Sequence, residues 1–597
     1  MFRRMFRIGL LTAGIVCSFF ISASAQKADT AGKIAPEITS LLTEVKEVLA
    51  PVEPKVRAAG LFHLLDFQMQ LENKASAEET LHSLLTLAPS ITEEQHRSQI
   101  YKGVADAYGD LQKDTEAAAL MSKIAAPADR AEFQLHYAVK IITEMEEDAG
   151  RKFFDTAGLL RRAIADAAAA KNAGLESLGQ AFLGRELARQ KKNEDAEIAF
   201  SEALKTAKKT GDTEEQELIG IVLRSQIQHG LIPAASATLA AVAVPETKQA
   251  LTKEFIQSLI QYKKFAEAET AVKKLPAGKI KDTLLLDFAM ENIKTVSDEQ
   301  IGILAAMIST DAAREQVLQQ IVAGLRRNNR NDAAESAGKR MSDPKKFKAA
   351  VIFGDIDRLM EAKQFAEAVK VSELLEDPQL KSGIKREIFI AQYRETRDEA
   401  LLAPIAALYT AEEKEKSAKL ESTKKTAENA ETGKQIDTLL GVMESQFELM
   451  DIKGAKQTMI LILSRLDKVS DLAKIVQCRL LIAQLQIELR ETSGAKENLG
   501  QLIQMLGGVQ DLNLLKGLVN VPPGGQPADA AAIRDQLFQI HAAAAELLIH
   551  TDALPEFQAA LGKAKTFADA EPFAIAKADK LLLLARIRLQ NQMKNGK

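Results

Sequence analysis

The chain has 597 residues and a formal net charge of −4, with 46% hydrophobic and 27% charged residues. These proportions exclude an intrinsically disordered chain, and without a basic excess the charge argues against a nucleic-acid-binding protein. Aromatic residues make up only 5% of the chain. Ala, Leu, Glu, Lys and Gln, all strong helix formers, dominate the sequence. The composition therefore predicts an all-α protein.

The first 25 residues have the features of a signal peptide. Three arginines precede an apolar stretch over residues 8–21, and Ala23-Ser24-Ala25 gives the small-x-small cleavage pattern before Gln26. An uncleaved membrane anchor is the alternative, but the stretch is short for a membrane span. We expect cleavage between Ala25 and Gln26, which gives an extracytoplasmic protein, periplasmic or secreted, without stable membrane insertion.

Residues 177–210 contain two apolar-patterned helices joined by a short polar turn. Gly184 and Leu187 lie in the first helix, and Ala196 and Phe200 lie in the second. Their spacings of three and four residues place each set on one helix face. We expect the small residues to lie where the two helices approach closely, with the larger ones filling the space beside them.

The same register recurs along the chain, and a small residue of the second helix marks each copy. These markers are separated by 40, 79, 39, 33, 66, 34, 87 and 40 residues. They are Ala77, Ala117, Ala196, Ala235, Ala268, Ala334, Ala368, Ala455 and Ala495. Steps of 33 and 34 match the period of tetratricopeptide (TPR) repeats, 66 is two such steps, and steps near 40 indicate longer helices.

This pattern resembles the TPR superfamily of helical-repeat proteins. The resemblance implies a right-handed α-solenoid of antiparallel helix pairs, here with irregular repeat lengths. Two segments interrupt the pattern: a charged segment with one large apolar residue, and a segment rich in Gly and Pro. We therefore divide the chain into a signal peptide (1–25), an N-terminal repeat arm (26–410), a charged helical or flexible insert (411–435), further repeats (436–506), a loop (507–529), and a C-terminal helix pair with a capping helix (530–597).

Local signals place the helix boundaries. Ser or Thr followed three residues later by Gln predicts capping boxes that begin at Thr92, Thr213 and Ser297. Proline interrupts helices because it lacks an amide N–H, so we expect six prolines at the ends of second helices. These are Pro89, Pro127, Pro245, Pro276, Pro344 and Pro378.

The sequence lacks the motifs of a catalytic or metal site. It contains no His-Glu-x-x-His, no P-loop and no dinucleotide-binding fingerprint. Ser493-Gly494-Ala495-Lys496 matches an acylating Ser-x-x-Lys pair, but Ala495 is also a marker of the repeat. Cleavage of the signal peptide leaves Cys478 as the single cysteine, which we expect to be a buried, small apolar group. We predict no enzymatic activity, no metal and no cofactor.

In the TPR family the first helix of each pair lines a concave groove that binds partner peptides. By this resemblance, the groove positions in the N-terminal half are cationic: Lys102, Arg185, Arg189, Arg224, Lys253, Arg326 and Arg327. They suggest a groove for an acidic partner, and a solvated charged face is the alternative. The family's carboxylate clamp requires an Asn that this chain replaces, for example with Asp106 or Glu444, so the clamp is absent.

The sequence thus predicts an exported, non-catalytic interaction scaffold for a protein or peptide partner. Two alternatives remain open. One is a cell-envelope hydrolase with paired carboxylates in a helical cavity, although the chain has no Trp and six Tyr, few of the aromatic residues that sugar sites use. The other is a structural envelope protein that self-assembles end to end.

Overall fold

Every regular element in the described part of the chain is helical. The computed structural model describes residues 35–147, 154–427, 432–507 and 530–595. These ranges form 29 α-helices and contain no strand, which confirms the all-α prediction. The helices are α1 (Pro36–Leu49), α2 (Pro54–Gln70), α3 (Lys74–Leu87), α4 (Glu94–Asp110), α5 (Asp114–Met121), α6 (Pro127–Glu147), α7 (Thr156–Ala169), α8 (Ala173–Arg189), α9 (Asn193–Ala207), α10 (Asp212–Gln228), α11 (Ile232–Ala240), α12 (Pro245–Gln261), α13 (Phe265–Lys273), α14 (Lys279–Glu291), α15 (Asp298–Met307), α16 (Asp311–Arg327), α17 (Asn331–Gly338), α18 (Pro344–Glu361), α19 (Phe365–Ser372), α20 (Pro378–Thr396), α21 (Leu402–Ala407), α22 (Ala411–Ala427), α23 (Thr432–Glu448), α24 (Ile452–Leu466), α25 (Leu472–Glu488), α26 (Thr492–Gly507), α27 (Ala530–Leu548), α28 (Leu554–Asp569) and α29 (Ala574–Asn595).

A left-handed residue follows the first helix of each pair that the sequence predicted. Between α8 and α9 the left-handed residue is Lys191. The N–H of the next residue, Lys192, donates to Leu187 O at 2.9 Å. This bond satisfies a carbonyl at the helix end. The turn residues have φ between 53° and 78° and are Glu72, Gln112, Lys191, Gly230, Lys263, Asn329, Lys363, Met450 and Arg490. Each marker alanine follows five residues later and is fully buried, so the chain has a helical-repeat structure.

Small residues lie where α8 and α9 pack together. A Cβ atom added to Gly184 would lie 2.7 Å from Phe200 Cδ1, too close for any side chain. Phe200 is 1% exposed and Ala196 is fully buried. The close approach that the sequence predicted at Gly184 is therefore confirmed, because the aromatic ring occupies the space that a larger residue would need.

The structure divides into two compact units. Unit 1 comprises Met1–His96 together with Tyr409–Lys597, and unit 2 comprises Arg97–Leu408. The sequence division placed residues 26–410 in one arm, whereas the structure groups residues 35–96 with the C-terminal helices. The physical reason is that α1 and α2 pack against the last helix, α29.

Unit 2 consists of helices that mainly contact their near neighbours along the chain. One of its apolar clusters runs from Ile219 to Ala350 and draws on α10 to α18. Other clusters surround Phe200 and Ile356. Because each cluster joins elements close in sequence, the core of unit 2 is built from local packing.

Unit 1 contains a terminal clasp, which we define as α1, α2 and α29. Val45 and Leu49 in α1 are fully buried, as are Leu581 and Ala585 in α29. Each buried aliphatic side chain contributes about 1.5–3 kcal/mol, so the apolar faces of these helices stabilise the clasp. Helix α29 also contacts α27 and α28, which links the clasp to the C-terminal helix pair.

Polar contacts across the clasp join residues far apart in sequence. His63 Nδ1 lies 2.6 Å from Asp579 Oδ1. From the adjoining helix α28, Lys565 Nζ donates to Glu44 Oε1 of the clasp at 3.1 Å. The side chains of both pairs are partly exposed. Such pairs typically contribute at most about 1 kcal/mol, so they mainly fix the register of the apolar packing.

The charged insert is helical where it is described. Helix α22 is mostly exposed, and Lys416 donates to Glu448 of α23 at 3.1 Å. Of the two predicted alternatives, residues 411–427 therefore adopt the solvated helix. Residues 428–431 lie outside the described ranges.

The predicted helix boundaries were correct in part. The capping box at Ser297 is confirmed, with both of its hydrogen bonds present. The box predicted at Thr213 is wrong, because α10 already begins at Asp212 after an extended Gly211. Four of the six prolines do not end second helices but begin the next helix, where a missing N–H is tolerated; these are Pro127, Pro245, Pro344 and Pro378.

Some predictions fall on residues that the structure does not describe. The signal peptide lies within residues 1–34, and nearly all of the predicted loop lies within residues 508–529. The C-terminal helix pair and capping helix correspond to α27, α28 and α29.

Candidate functional site

The seven predicted groove cations all lie in unit 2. Lys102 lies on α4, Arg185 and Arg189 on α8, and Arg224 on α10; Lys253 is on α12, and Arg326 and Arg327 are on α16. Each of these helices is followed by one of the repeated left-handed turns. That these cations line a concave groove stays a prediction.

Carboxylates from neighbouring helices pair with several of these cations. Arg185 Nε donates to Glu146 Oε1 at 3.1 Å, and Arg326 Nη2 donates to Asp355 Oδ2 at 2.6 Å. Arg224 also pairs with Glu254, and Arg327 pairs with Glu361. The partners lie about one repeat apart in sequence, so the positive charge at these four positions is locally compensated.

A buried ion pair lies at the C-terminal end of α8. Glu186 is fully buried and accepts two hydrogen bonds from Arg189, each 2.8 Å, and one from Gln190 at 2.7 Å. Burial opposes ionisation of Glu186, but hydrogen bonds from Arg189, Thr156 and Gln190 outweigh it, so the pKa of Glu186 is lowered. The carboxylate is therefore ionised at neutral pH and neutralises Arg189.

His229 lies beside this ion pair. Burial lowers the pKa of His229, although Glu146 acts in the opposite direction. Its Nε2 atom lies 3.8 Å from Glu146 Oε1, and that nitrogen is buried without a hydrogen-bond partner in the described part of the chain. The imidazole is thus held neutral at neutral pH.

A cavity of about 530 Å³ opens on the face formed by α4, α6 and α8. Apolar side chains dominate its lining, and three ionisable groups join them. The lining residues are Lys102, Glu132, Phe133, Leu135, His136, Val139, Leu175, Leu178 and Phe182. The volume falls within the range of about 300–1,000 Å³ that is typical of ligand pockets.

The cavity and the ion pairs share one face of α8. Leu175, Leu178, Phe182, Arg185 and Arg189 follow one another at spacings of three and four residues, which places them in a single stripe. The stripe is apolar over its first half and cationic over its second half. We define the docking face as this stripe together with the residues that line the cavity.

Lys102 differs from the other cations. Its side chain is only 19% exposed, and its Nζ atom lies 3.8 Å from Asp129 Oδ2, beyond hydrogen-bond distance. Within the described ranges the Lys102 ammonium donates no hydrogen bond. Lys253, by contrast, is exposed to solvent. Lys102 is therefore a partly shielded cation that forms a long ion pair with Asp129.

Other chemistry-bearing groups form no recognisable centre. Cys478 is 2% exposed, and burial raises the pKa of its thiol to about 11, so the expected buried cysteine is confirmed. In the ranges that the structure describes, no group of three or more His, Cys, Asp and Glu side chains is placed to hold a metal ion. No helix within these ranges combines the length and apolarity that a membrane crossing needs.

No family model matches the chain, and no curated protein matches it. Among solved structures, the chain is similar to the crystal structure of Ton1535 from Thermococcus onnurineus NA1, with 18% identity, 55% of this chain and 98% of that chain covered, and a TM-score of 0.23. It is also similar to a circular tandem repeat protein with novel repeat topology and enhanced subunit contact surfaces. That match has 11% identity, covers 94% of this chain and 99% of that chain, and has a TM-score of 0.14. These TM-scores are too low to carry an argument about function.

Sequence reasoning missed the cavity and the carboxylates that pair with the cations. The apolar half of the α8 stripe was visible in the three- and four-residue spacing of Leu175, Leu178 and Phe182. The carboxylate partners could have been sought about one repeat away, since Arg185 and Glu146 are 39 residues apart and Arg326 and Asp355 are 29 apart. A comparison of the repeats with one another does not reveal such pairs, because each pair joins residues of two different repeats.

Proposed function

We propose that the chain is an exported, non-catalytic interaction scaffold that binds a protein or peptide on the docking face. The proposal includes the finer architecture that the TPR resemblance implies, a right-handed solenoid of antiparallel helix pairs. The observation that carries it is the apolar cavity on α4, α6 and α8, which adjoins a row of ion-paired residues. Concave, mostly apolar sites with a few polar groups are the usual form of a binding pocket.

The composition of the cavity supports binding over hydrolysis. Among the described residues that line the cavity, Glu132 is the only carboxylate, whereas a two-carboxylate hydrolase needs a pair about 5–10 Å apart. The neighbouring Glu186 is fully buried and bonded to Arg189. An acid held in this way as a charged hydrogen-bond acceptor is poorly suited to donate a proton.

The terminal clasp supports a scaffold over a filament that joins end to end. Leu49 of α1 and Leu581 of α29 are fully buried within the same chain. A filament would need such terminal faces to be available to another copy. Light scattering of the purified chain tests this point, and a large species that grows with protein concentration would favour the structural alternative.

The extracytoplasmic location depends on the N-terminal sequence. N-terminal sequencing of the chain recovered from the periplasm or the medium should begin at Gln26. A cytoplasmic chain that retains its first 25 residues would contradict export.

Panning of a displayed library of random twelve-residue peptides on the purified chain tests the proposed function. The wild-type chain should enrich a peptide family that the Phe182→Ala variant does not retain, because Phe182 lines the cavity. Ile198→Ala is the matched control, since Ile198 is an exposed apolar residue of the same unit, 65% accessible. No enrichment, or equal retention by Phe182→Ala, would show that the docking face does not bind peptides.

A further inference from the structure

We infer that the docking face selects a peptide in which an apolar side chain lies within a few residues of a single carboxylate, with Lys102 as the donor to that carboxylate. This inference rests on the proposed function and specifies the partner's chemistry. The apolar side chain fills the cavity, and the carboxylate approaches the Lys102 ammonium at the cavity wall.

The cavity determines the apolar part of the ligand. Phe133, Leu178 and Phe182 contribute rings and branched chains to its wall. A volume of about 530 Å³ accommodates a large side chain with adjoining backbone. Such a ligand gains roughly 25 cal/mol for each Å² of apolar surface removed from water. A uniformly polar peptide gains nothing from this wall.

Lys102 determines the need for a carboxylate. The Lys102 side chain is 19% exposed, and Asp129, the acid beside it, is 48% exposed and 3.8 Å away, close enough for an ion pair but beyond hydrogen-bond distance. A ligand carboxylate that approaches this ammonium would replace a long ion pair by a charge-assisted hydrogen bond, which is among the stronger ones.

The other charges on the docking face restrict the ligand to one acid. Arg185 is bonded to Glu146, and Arg189 is bonded to Glu186, so the charge of each guanidinium is already compensated by an acid of the chain. Glu132, which is exposed at the cavity, would repel a run of acids. His136, the remaining ionisable group of the lining, is also exposed. This balance of charges favours a peptide with a single acid, whereas a generally basic groove would favour a run of acids.

Fluorescently labelled ten-residue peptides test the inference with the full chain. Each peptide carries one phenylalanine, with one aspartate placed one to four residues after it; matched peptides replace the aspartate by asparagine or the phenylalanine by serine. The best aspartate peptide should bind about tenfold more tightly than its asparagine counterpart, the usual scale of one charge-assisted hydrogen bond. The serine peptides should not bind.

Variants at Lys102 separate the carboxylate from the cavity. Lys102→Gln should abolish the difference between the aspartate and asparagine peptides, and Lys102→Arg should restore most of it. Lys348→Gln is the matched control, because it removes a lysine charge of the same unit at an exposed ion pair, with a side chain 55% accessible. Thermal unfolding of each variant verifies that it is folded.

The outcomes distinguish the inference from the proposed function. Equal binding of aspartate and asparagine peptides, lost in Phe182→Ala, would overturn the role of Lys102 and leave the peptide-binding function in place. Binding of no peptide to the wild-type chain would also overturn the inference, and the library panning then decides the proposed function. A preference for the aspartate peptide that survives Lys102→Gln would place the carboxylate site elsewhere.

Discussion

The two units differ in how far apart in sequence their contacting residues lie. In unit 2 the ion pairs of the docking face join neighbouring repeats, as Arg185 and Glu146 do across 39 residues. In unit 1 the terminal clasp joins His63 to Asp579 across 516 residues. Contacts between distant residues require closure of a long loop before they form. Unit 2 can therefore fold repeat by repeat, whereas the clasp requires the last helix of the chain.

The two units also differ in the role that we assign to them: unit 2 carries the docking face, and unit 1 holds the chain ends together. The docking face lies in unit 2, on helices whose mutual positions depend on local packing. The clasp lies in unit 1 and covers the apolar faces of the terminal helices. A change in the clasp should therefore alter the stability of the chain ends, while a change in the docking face should alter binding. The predictions below test this separation.

Deletion of residues 574–597 should have the largest effect. It removes α29 and exposes the apolar face of α1, including the fully buried Leu49. Limited proteolysis should then cleave residues 35–96 and 409–573 rapidly and leave a protected fragment close to residues 97–408. Phe573→Ala, an exposed position before α29, should keep the wild-type pattern. An unchanged pattern in the truncated chain would mean that the clasp does not stabilise unit 1.

Phe67→Ala and Phe200→Ala compare the units directly. Both side chains are 1% exposed, and loss of a buried Phe side chain typically costs about 3–5 kcal/mol. Phe67 lies 6.0 Å from the Arg586 guanidinium of α29, so its loss should increase hydrogen exchange at both ends of the chain. Loss of Phe200 should increase exchange in α8, α9 and the adjoining α10 of unit 2, and leave unit 1 unchanged. The same exchange pattern in both variants would contradict the separation of the units.

His541 should make unit 1 sensitive to acid. The His541 side chain is 2% exposed and stacks on Phe567, with 5.9 Å between the ring centroids. Burial, and to a smaller extent the positive charge of Lys563, lowers the pKa of His541 to about 4. Between pH 6.5 and 4 the unfolded chain binds more protons at this site, so stability is lost as the pH falls, by about 3 kcal/mol in total.

Chemical denaturation at several pH values measures this effect. His541→Gln should flatten the dependence over that interval, because the substituted side chain does not titrate. His82→Gln, at an exposed histidine of the same unit, should leave the dependence unchanged. Identical slopes for the wild type and His541→Gln would show that His541 does not titrate as its environment indicates.

Ala196→Leu should have a smaller effect that remains within unit 2. The fully buried Ala196 faces the tight packing of α8 on α9, and overpacking of this kind typically costs about 1–3 kcal/mol. Ile198→Ala, two residues away and 65% exposed, should change the free energy of unfolding by less than about 0.5 kcal/mol. Equal stability of the two variants would mean that the repeat register is wrong.

The repeat could be predicted from the sequence because the small residue of the second helix recurs nine times in one register. No single copy is a strong signal, but the nine marker alanines are all fully buried in the structure. The turns were less visible, since only Gly230 among the nine left-handed residues is a glycine and the others, such as Lys191, give no such signal. Their conformation follows from the helix-ending hydrogen bonds rather than from residue type.

The clasp and the charge compensation could not be predicted for a different reason. Leu49 and Leu581 belong to amphipathic helices like any others, and nothing local indicates that they share a unit. The pairing of Arg185 with Glu146 likewise depends on how neighbouring repeats align. Periodicity predicts which face of a helix is buried, but the partner of that face is decided by tertiary packing.

Hydrogen exchange of the full chain, measured with and without the best aspartate peptide, shows directly whether unit 2 presents a binding site on α4, α6 and α8 while the clasp of unit 1 only holds the chain ends. We expect added protection in those three helices around Lys102, His136 and Phe182, and unchanged exchange in α1, α2 and α29. Protection confined to unit 1, or absent from α4, α6 and α8 at saturating peptide, would contradict it.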